Sequence, residues 1–318
     1  MAALDGEIMS QTIAEYPVDP RPGPVRRPDS RNGRAEDIGR LLVSCADGPG
    51  IVSAITTFLH TRGANIVQSD QDSTDPRGGR FFQRLVFHLP GLAEALPRLE
   101  QEFATEVAGR FAMTFRMRDA AVPTRVALFV SRYDHCLLDL LWRWRRGELP
   151  IQVVQVVSNH PDLADDVESF GVPYAHIPVA KATKAEAEAR QLELLAGRVD
   201  LVVLARYMQI LSGDFLDRIG VPVINIHHSF LPAFAGAGPY ERAKERGVKL
   251  VGATAHYATE DLDEGPIIEQ DVVRVSHRQS AADLVRRGAD IERNVLARAV
   301  GWHCEDRVLV NGRTTIVF

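Results

Sequence analysis

No apolar run in the 318 residues approaches the length needed to cross a bilayer, so no membrane partner is expected. Cysteine is scarce. Cys45, Cys136 and Cys304 are widely spaced, odd in number and without a CxxC, which argues against a disulfide framework and fits a reducing cytoplasm. There is no excess of positive charge either. With 37 Lys and Arg against 42 Asp and Glu, the formal charge is −5, and no nucleic-acid partner is expected. The opening residues MAALDGEIMSQ carry acids and no apolar segment, unlike a secretory signal. What is present, 45% apolar and 25% charged residues, describes an ordinary soluble protein long enough for two domains.

Residues 1–36 hold Pro17, Pro20, Pro22, Pro24 and Pro28 among five arginines, with too few apolar residues to offset chain entropy; a flexible tail is expected. Residues 37–118 then alternate in the order βαββαβ. Arg40 to Cys45 reads as a strand, and Asp47 and Pro49 suit the start of a helix bearing Ile51, Ile55, Phe58 and Leu59, which Gly63 ends. Ala64 to Asp72 and Phe81 to Leu89 read as strands, Leu92 to Val107 as a helix, and Phe111 to Met117 as the last strand. This order predicts a ferredoxin-like α+β sandwich. Residues 119–124 form a short linker.

From residue 125 to 318 the pattern becomes strand, helix, strand. Near-continuous apolar runs at Arg125–Ser131, Ile151–Val157, Asp200–Ala205 and Val221–His227 predict a mostly parallel sheet covered on both faces, a Rossmann-like α/β domain. Two extended runs within Val251–Val275, a helix over Ala281–His303 and one terminal strand, Arg307–Phe318, complete it. The fourth strand runs into NIHHSFLP. Strand alternation places Asn225 and His227 on one face and Ile226 and His228 on the other, at the strand end where open α/β sheets bind ligands. His228 is therefore expected to support the site from behind.

Two resemblances follow from these motifs. SCADGPGIVSAITTFLHTRGANIVQSDQ resembles the opening of an ACT domain, a module that binds amino-acid effectors. By that likeness Asp47, Gly48, Gly50, Ile51 and Asn65 are candidate effector contacts, and a homo-oligomer (dimer or tetramer) is implied. A unit that serves only to oligomerise remains open. NIHHSFLP, HYATEDLDEG, LARYMQILS and SRYDHCL together resemble the folate-dependent formyltransferase family, and in particular its branch that hydrolyses 10-formyltetrahydrofolate after an ACT-like domain. That resemblance, covering about residues 38–318, implies Asn225, His227 and Asp263 as catalytic residues. It implies folate-lining loops at Arg206, Tyr207, Met208, Gln209, Ile210 and Leu211 and at Thr259 and Glu260. The implied reaction uses no cofactor and no metal.

The chemistry is consistent with these side chains. Asn225 and a protonated His227 would stabilise the oxyanion formed at a formamide carbonyl, and Asp263 would support His227 and activate water. His256, at strand spacing from Thr254, would buttress Asp263. Asp134, His135 and Cys136 are not expected to form a triad, because neighbours on a helix do not face each other. The turn Ser131 to His135 has no glycine to cradle an acceptor phosphate and carries an acid, which favours water over an amine acceptor. Two departures from the family pattern stand out, Ala235 to Gly238 after LPAF, and Asp72 after the SDQ run. Formyl transfer to an amine and a catalytically silent amino-acid sensor are the rival readings.

Overall fold

The computed structural model describes residues 36–75, 77–232 and 239–318. The expected tail up to residue 35 and the Ala235–Gly238 departure lie outside the described residues. The first unit is built from β1 (Ile38–Ala46), α1 (Ile51–Thr61), β2 (Asn65–Ser73), β3 (Arg80–His88), α2 (Leu92–Phe103) and β4 (Thr114–Asp119). Its antiparallel sheet has the order β2-β3-β1-β4, as a ferredoxin-like sandwich requires. Ile51, Ile55, Phe58 and Leu59 pack from α1 onto Leu41, Val43 and Leu85 of the sheet.

Local details differ from the sequence reading. Pro49 lies outside α1, which starts after Gly50 in a left-handed conformation. Gly63, at φ 79, closes the helix by donating to the His60 carbonyl. The second helix does not stop at Val107. It widens into a π-turn (Ala104–Ala108), continues as α3 (Gly109–Phe111), and so delays β4 to Thr114.

The second unit holds β5 (Thr124–Val130), α4 (His135–Arg145), β6 (Ile151–Ser158), α5 (Ala164–Glu168), β7 (Tyr174–His176), α6 (Lys184–Leu195) and β8 (Leu201–Leu204). There follow α7 (Gly213–Ile219), β9 (Val223–His227), α8 (Pro239–Glu245), β10 (Leu250–Tyr257), β11 (Ile267–Arg274) and α9 (Ala281–Cys304). The seven strands run β11-β10-β9-β8-β5-β6-β7. Strands β5 to β9 are parallel, while β10 and β11 pair antiparallel at one edge. Helices cover both faces, and two apolar clusters result, one around Val126, Leu128, Val295 and Val300, the other around Phe129, Val202, Leu204 and Phe215. The expected terminal strand is instead a hairpin, β12 (Val308–Asn311) and β13 (Thr314–Val317), turning at Gly312 with φ 60.

The two units meet at the end of α9. Arg84 donates to the Asp306 and Glu305 carbonyls at 2.9 and 3.1 Å, and Arg40 donates to the Cys304 carbonyl at 3.0 Å. The Asp306 carboxylate, 2% exposed, faces Arg116 at 2.9 Å, Arg40 at 3.5 Å and Arg118 at 3.8 Å.

Candidate active site

The chain starts the second sheet at β5, steps outward to β6, then returns to the other side of β5 as β8. That reversal opens a crevice at the carboxyl ends of β5 and β8. Ser131, the residue after β5, pins the crevice wall: its amide donates to the Arg206 carbonyl, its hydroxyl donates to Asn159 at 2.7 Å, and it accepts from the Met208 amide at 2.9 Å. Past β8 the chain turns through Arg206 at φ 65, a left-handed conformation unfavourable for a branching side chain. Tyr207 points its ring into the core against Phe129 and accepts a hydrogen bond from Gln191. Met208 and Ile210 stay more than half exposed. Ser212 caps α7 and is itself held by the buried Glu188 through its amide and hydroxyl.

The antiparallel register of β9 and β10 sets His227 opposite Thr254 and Asn225 opposite His256. Thr254 is buried. Its hydroxyl donates to the Ser229 carbonyl and accepts from the Leu231 amide and Gln270, which secures the chain as it leaves β9. His256 follows a bulge in β10; its Nδ1 donates to the Tyr257 carbonyl at 3.0 Å, so in the neutral ring Nε2 accepts from Asn225 Nδ2 at 3.2 Å. The amide is thereby oriented.

The loop after β10 brings in Asp263, held at φ 60. Gly265 permits this path, since a Cβ there would lie 1.7 Å from the Tyr257 carbonyl oxygen. Asp263 Oδ1 lies 3.2 Å from His227 Nδ1 and 3.7 Å from His256 Nε2. Burial raises the Asp263 carboxyl pKa, but the hydrogen bond from His227 and the nearby His256 ring outweigh it and hold the group well below the usual carboxylate range. His227 is 6% exposed, and its Nε2 is buried without a hydrogen-bond partner among the described residues. Asn225, His227 and Asp263 line one cavity of about 240 Å³, together with every residue of the Arg206–Leu211 and Thr259–Glu260 stretches.

This constellation can be set beside known proteins. Residues 124–300 match the formyl transferase family model, and residues 39–104 match the ACT domain model. The chain is 64% identical over 282 residues to a formyltetrahydrofolate deformylase of Mycobacterium tuberculosis, covering 89% of this chain and 91% of that one. It is 54% identical over 295 residues to that of Bacillus subtilis, covering 92% and 98%. The crystal structure of a formyltetrahydrofolate deformylase from Burkholderia mallei superposes with a TM-score of 0.83 at 44% identity, covering 89% of this chain and 99% of that one. The chain belongs to the formyltetrahydrofolate deformylase family.

Within this deformylase fold, the sequence expectation for His228 is corrected. His228 does not turn away from Asn225 and His227. Strand β9 ends at His227, so alternation stops there, and His228 lines the same cavity with its ring 5.3 Å from that of His227. Burial pushes its pKa down to about 4, with the Arg206 guanidinium acting in the same direction. His135 pairs with neither Asp134 nor Cys136 but with Glu292, at 2.8 Å. Asp134 occupies the N-cap position of α4 without a side-chain capping bond.

Glu292 was not legible in the sequence. It is buried on the inner face of α9, accepts from Tyr240 at 2.7 Å and stands 3.4 Å from Arg206 Nε. Gly288, one turn earlier, makes room for Tyr240, whose hydroxyl would lie 1.8 Å from a Cβ there. An acid on the apolar stripe of a long helix was the available signal.

In the amino-terminal unit, Asp47, Gly48, Gly50 and Ile51 share a cavity of about 420 Å³ with Gln71, Asp72 and Ser73. Ser73 donates to Asp47 at 2.5 Å. Asn65 does not line this cavity. It starts β2 and pairs with His88 at the far end of the strand. Asp72, the departure noted in the sequence, does line it.

Proposed function

We propose that this chain hydrolyses 10-formyltetrahydrofolate to formate and tetrahydrofolate, the activity for which its relatives are named. The observation that carries the catalytic reading is the His227–Asp263 contact of 3.2 Å beside an oriented Asn225 amide. With Nδ1 turned to Asp263, His227 has Nε2 available for the formyl oxygen. Asn225 keeps a second amide N–H for the same atom once His256 takes the first. Two preorganised donors in a largely buried cavity stabilise an oxyanion far better than water does.

Asp263, kept ionised, accepts a proton from the attacking water and holds His227 in place. The leaving nitrogen takes a proton from His227 or through water. The reading needs no metal and no cofactor. The folate ring system would lie along Arg206–Leu211 and Thr259–Glu260, whose backbone groups and exposed Met208 and Ile210 supply polar edges beside apolar cover.

Water rather than an amine as acceptor is supported by the turn after β5. Ser131 is committed to Asn159 and Met208, and the Tyr133 ring covers the Arg206 guanidinium at 4.8 Å. No glycine-rich cradle is left at the start of α4 for a phosphate. The ACT unit would sense an amino acid through Asp47, Gly48, Gly50 and Ile51, in a cytoplasmic homo-oligomer.

The test is formate release from 10-formyltetrahydrofolate by the purified full chain. His227→Ala should lower turnover by about 10²–10³. Formate release by this variant equal to wild type, or none by wild type, overturns the reading. An added amine that captures the formyl group would instead favour transfer.

A further inference from the structure

Arg206 is 7% exposed and lines the catalytic cavity with Asn225, His227, His228 and Asp263. Burying such a group without acceptors is unfavourable, yet its Nε and Nη1 have no hydrogen-bond partner among the described residues. Glu292 neutralises the charge from 3.4 Å without meeting hydrogen-bond geometry, while its two oxygens pair with His135 and Tyr240. The Tyr133 ring closes one face. The left-handed backbone at Arg206 fixes where the side chain departs. A fixed cation with uncommitted donors is thus held at the edge of the site.

Hydrolysis creates a matching partner. Water adds through its oxygen to the formyl carbon, and the carbonyl π pair moves to oxygen. Collapse of that adduct re-forms C=O and breaks the C–N bond. One proton from water ends on N10, and the other leaves through Asp263 to solvent. The substrate's formyl group is neutral, whereas the product formate carries one negative charge over two oxygens. A donor that meets no acceptor in the ground state and gains one as charge develops favours the forward reaction.

We propose that Arg206 is the formate-binding group of this site, donating to the carboxylate as it forms and holding it after C–N cleavage, with Glu292, Tyr240 and His135 as its positioning residues. The proposal rests on the hydrolytic reading above. Arginine suits the task because it stays charged while buried and presents several donors to a planar carboxylate. His228, neutral near pH 7, adds no competing positive charge beside it.

The experiment compares the full-length wild type with Arg206→Gln and Arg206→Lys, using sodium formate as ligand and formamide as its neutral control. Formate should raise the melting temperature of wild type and inhibit it, and formamide should do neither. In Arg206→Gln the thermal shift should vanish and the formate inhibition constant rise at least about tenfold. Its kcat should fall by a larger factor than KM for the folate substrate rises. Arg206→Lys, which keeps the charge, covers the case in which the glutamine variant fails to melt cooperatively, and should bind formate several-fold more weakly than wild type. Unchanged formate binding in either folded variant, or a loss confined to KM for the folate, overturns the proposal. A wild type that releases formate but shows no formate-dependent shift or inhibition overturns it while leaving the hydrolytic reading intact. A wild type that releases no formate overturns both.

Discussion

Asn225 Nδ2 and His256 Nε2 are 3.2 Å apart because the β9–β10 register makes the two residues cross-strand partners. The imidazole is in turn fixed by the Tyr257 carbonyl. His256→Ala should leave Asn225 free to rotate and lower kcat with little change in KM. The loss should be smaller than the roughly 10²–10³ expected for Asn225→Ala, which removes the donor itself. Steady-state kinetics of both variants checks the order; a His256→Ala enzyme with wild-type kcat refutes the positioning role.

Gly265 carries no reacting group, yet its substitution should be severe. In Gly265→Ala the new Cβ meets the Tyr257 carbonyl, and the loop bearing Asp263 must shift. Stability should drop by about 1–3 kcal/mol, and activity should fall much further than that drop explains. Denaturant titration alongside formate release separates the two effects. By contrast, Asp263→Asn tolerates the left-handed backbone and should fold normally while losing activity.

His228 should make the protein acid-sensitive in a defined window. Burial, then Arg206, lowers its folded pKa to about 4, and His227 acts the same way while Glu292 and Asp263 oppose. The unfolded chain takes up this proton from about pH 6.5 downward, so stability is full above that pH and declines as pH falls toward 4. His228→Asn should flatten the decline, by up to about 3 kcal/mol at pH 4. Burial pushes His303 down to about 3, so a residual slope persists in that variant. The depressed carboxyl of Asp263 stabilises the fold in full above the ordinary carboxylate range and loses that contribution only as pH falls below it, in a separate acid limb. Urea denaturation between pH 4 and 8 reads the His228 window; identical profiles for wild type and variant contradict it.

The seam between the units should depend on Asp306. In Asp306→Ala, Arg40, Arg116 and Arg118 lose their shared carboxylate, while the backbone acceptors of Arg84 remain. Loss of a buried counter-charge costs on the order of 3 kcal/mol, reduced here because Arg116 and Arg118 are about one-third exposed. Calorimetry should show the transition broaden or split as the units uncouple. A single unshifted transition would rule out the latch.

What could be read from the chain alone was what depends on local period and turn chemistry. Apolar runs of strand length between helical stripes specified both units, and two-residue alternation put Asn225 and His227 on one face, because backbone geometry within an element is set by its own residues. The motifs also pointed to Asp263 and to the loops that line the cavity. Tertiary structure decided the relations between segments distant in sequence. The β9–β10 register made His256 the partner of Asn225, the end of β9 at His227 returned His228 to the cavity, and the full length of β2 carried Asn65 away from Asp47. Packing of α9 against the crevice placed Glu292 beside Arg206. Such contacts depend on how whole elements dock, a property that no window of neighbouring residues contains.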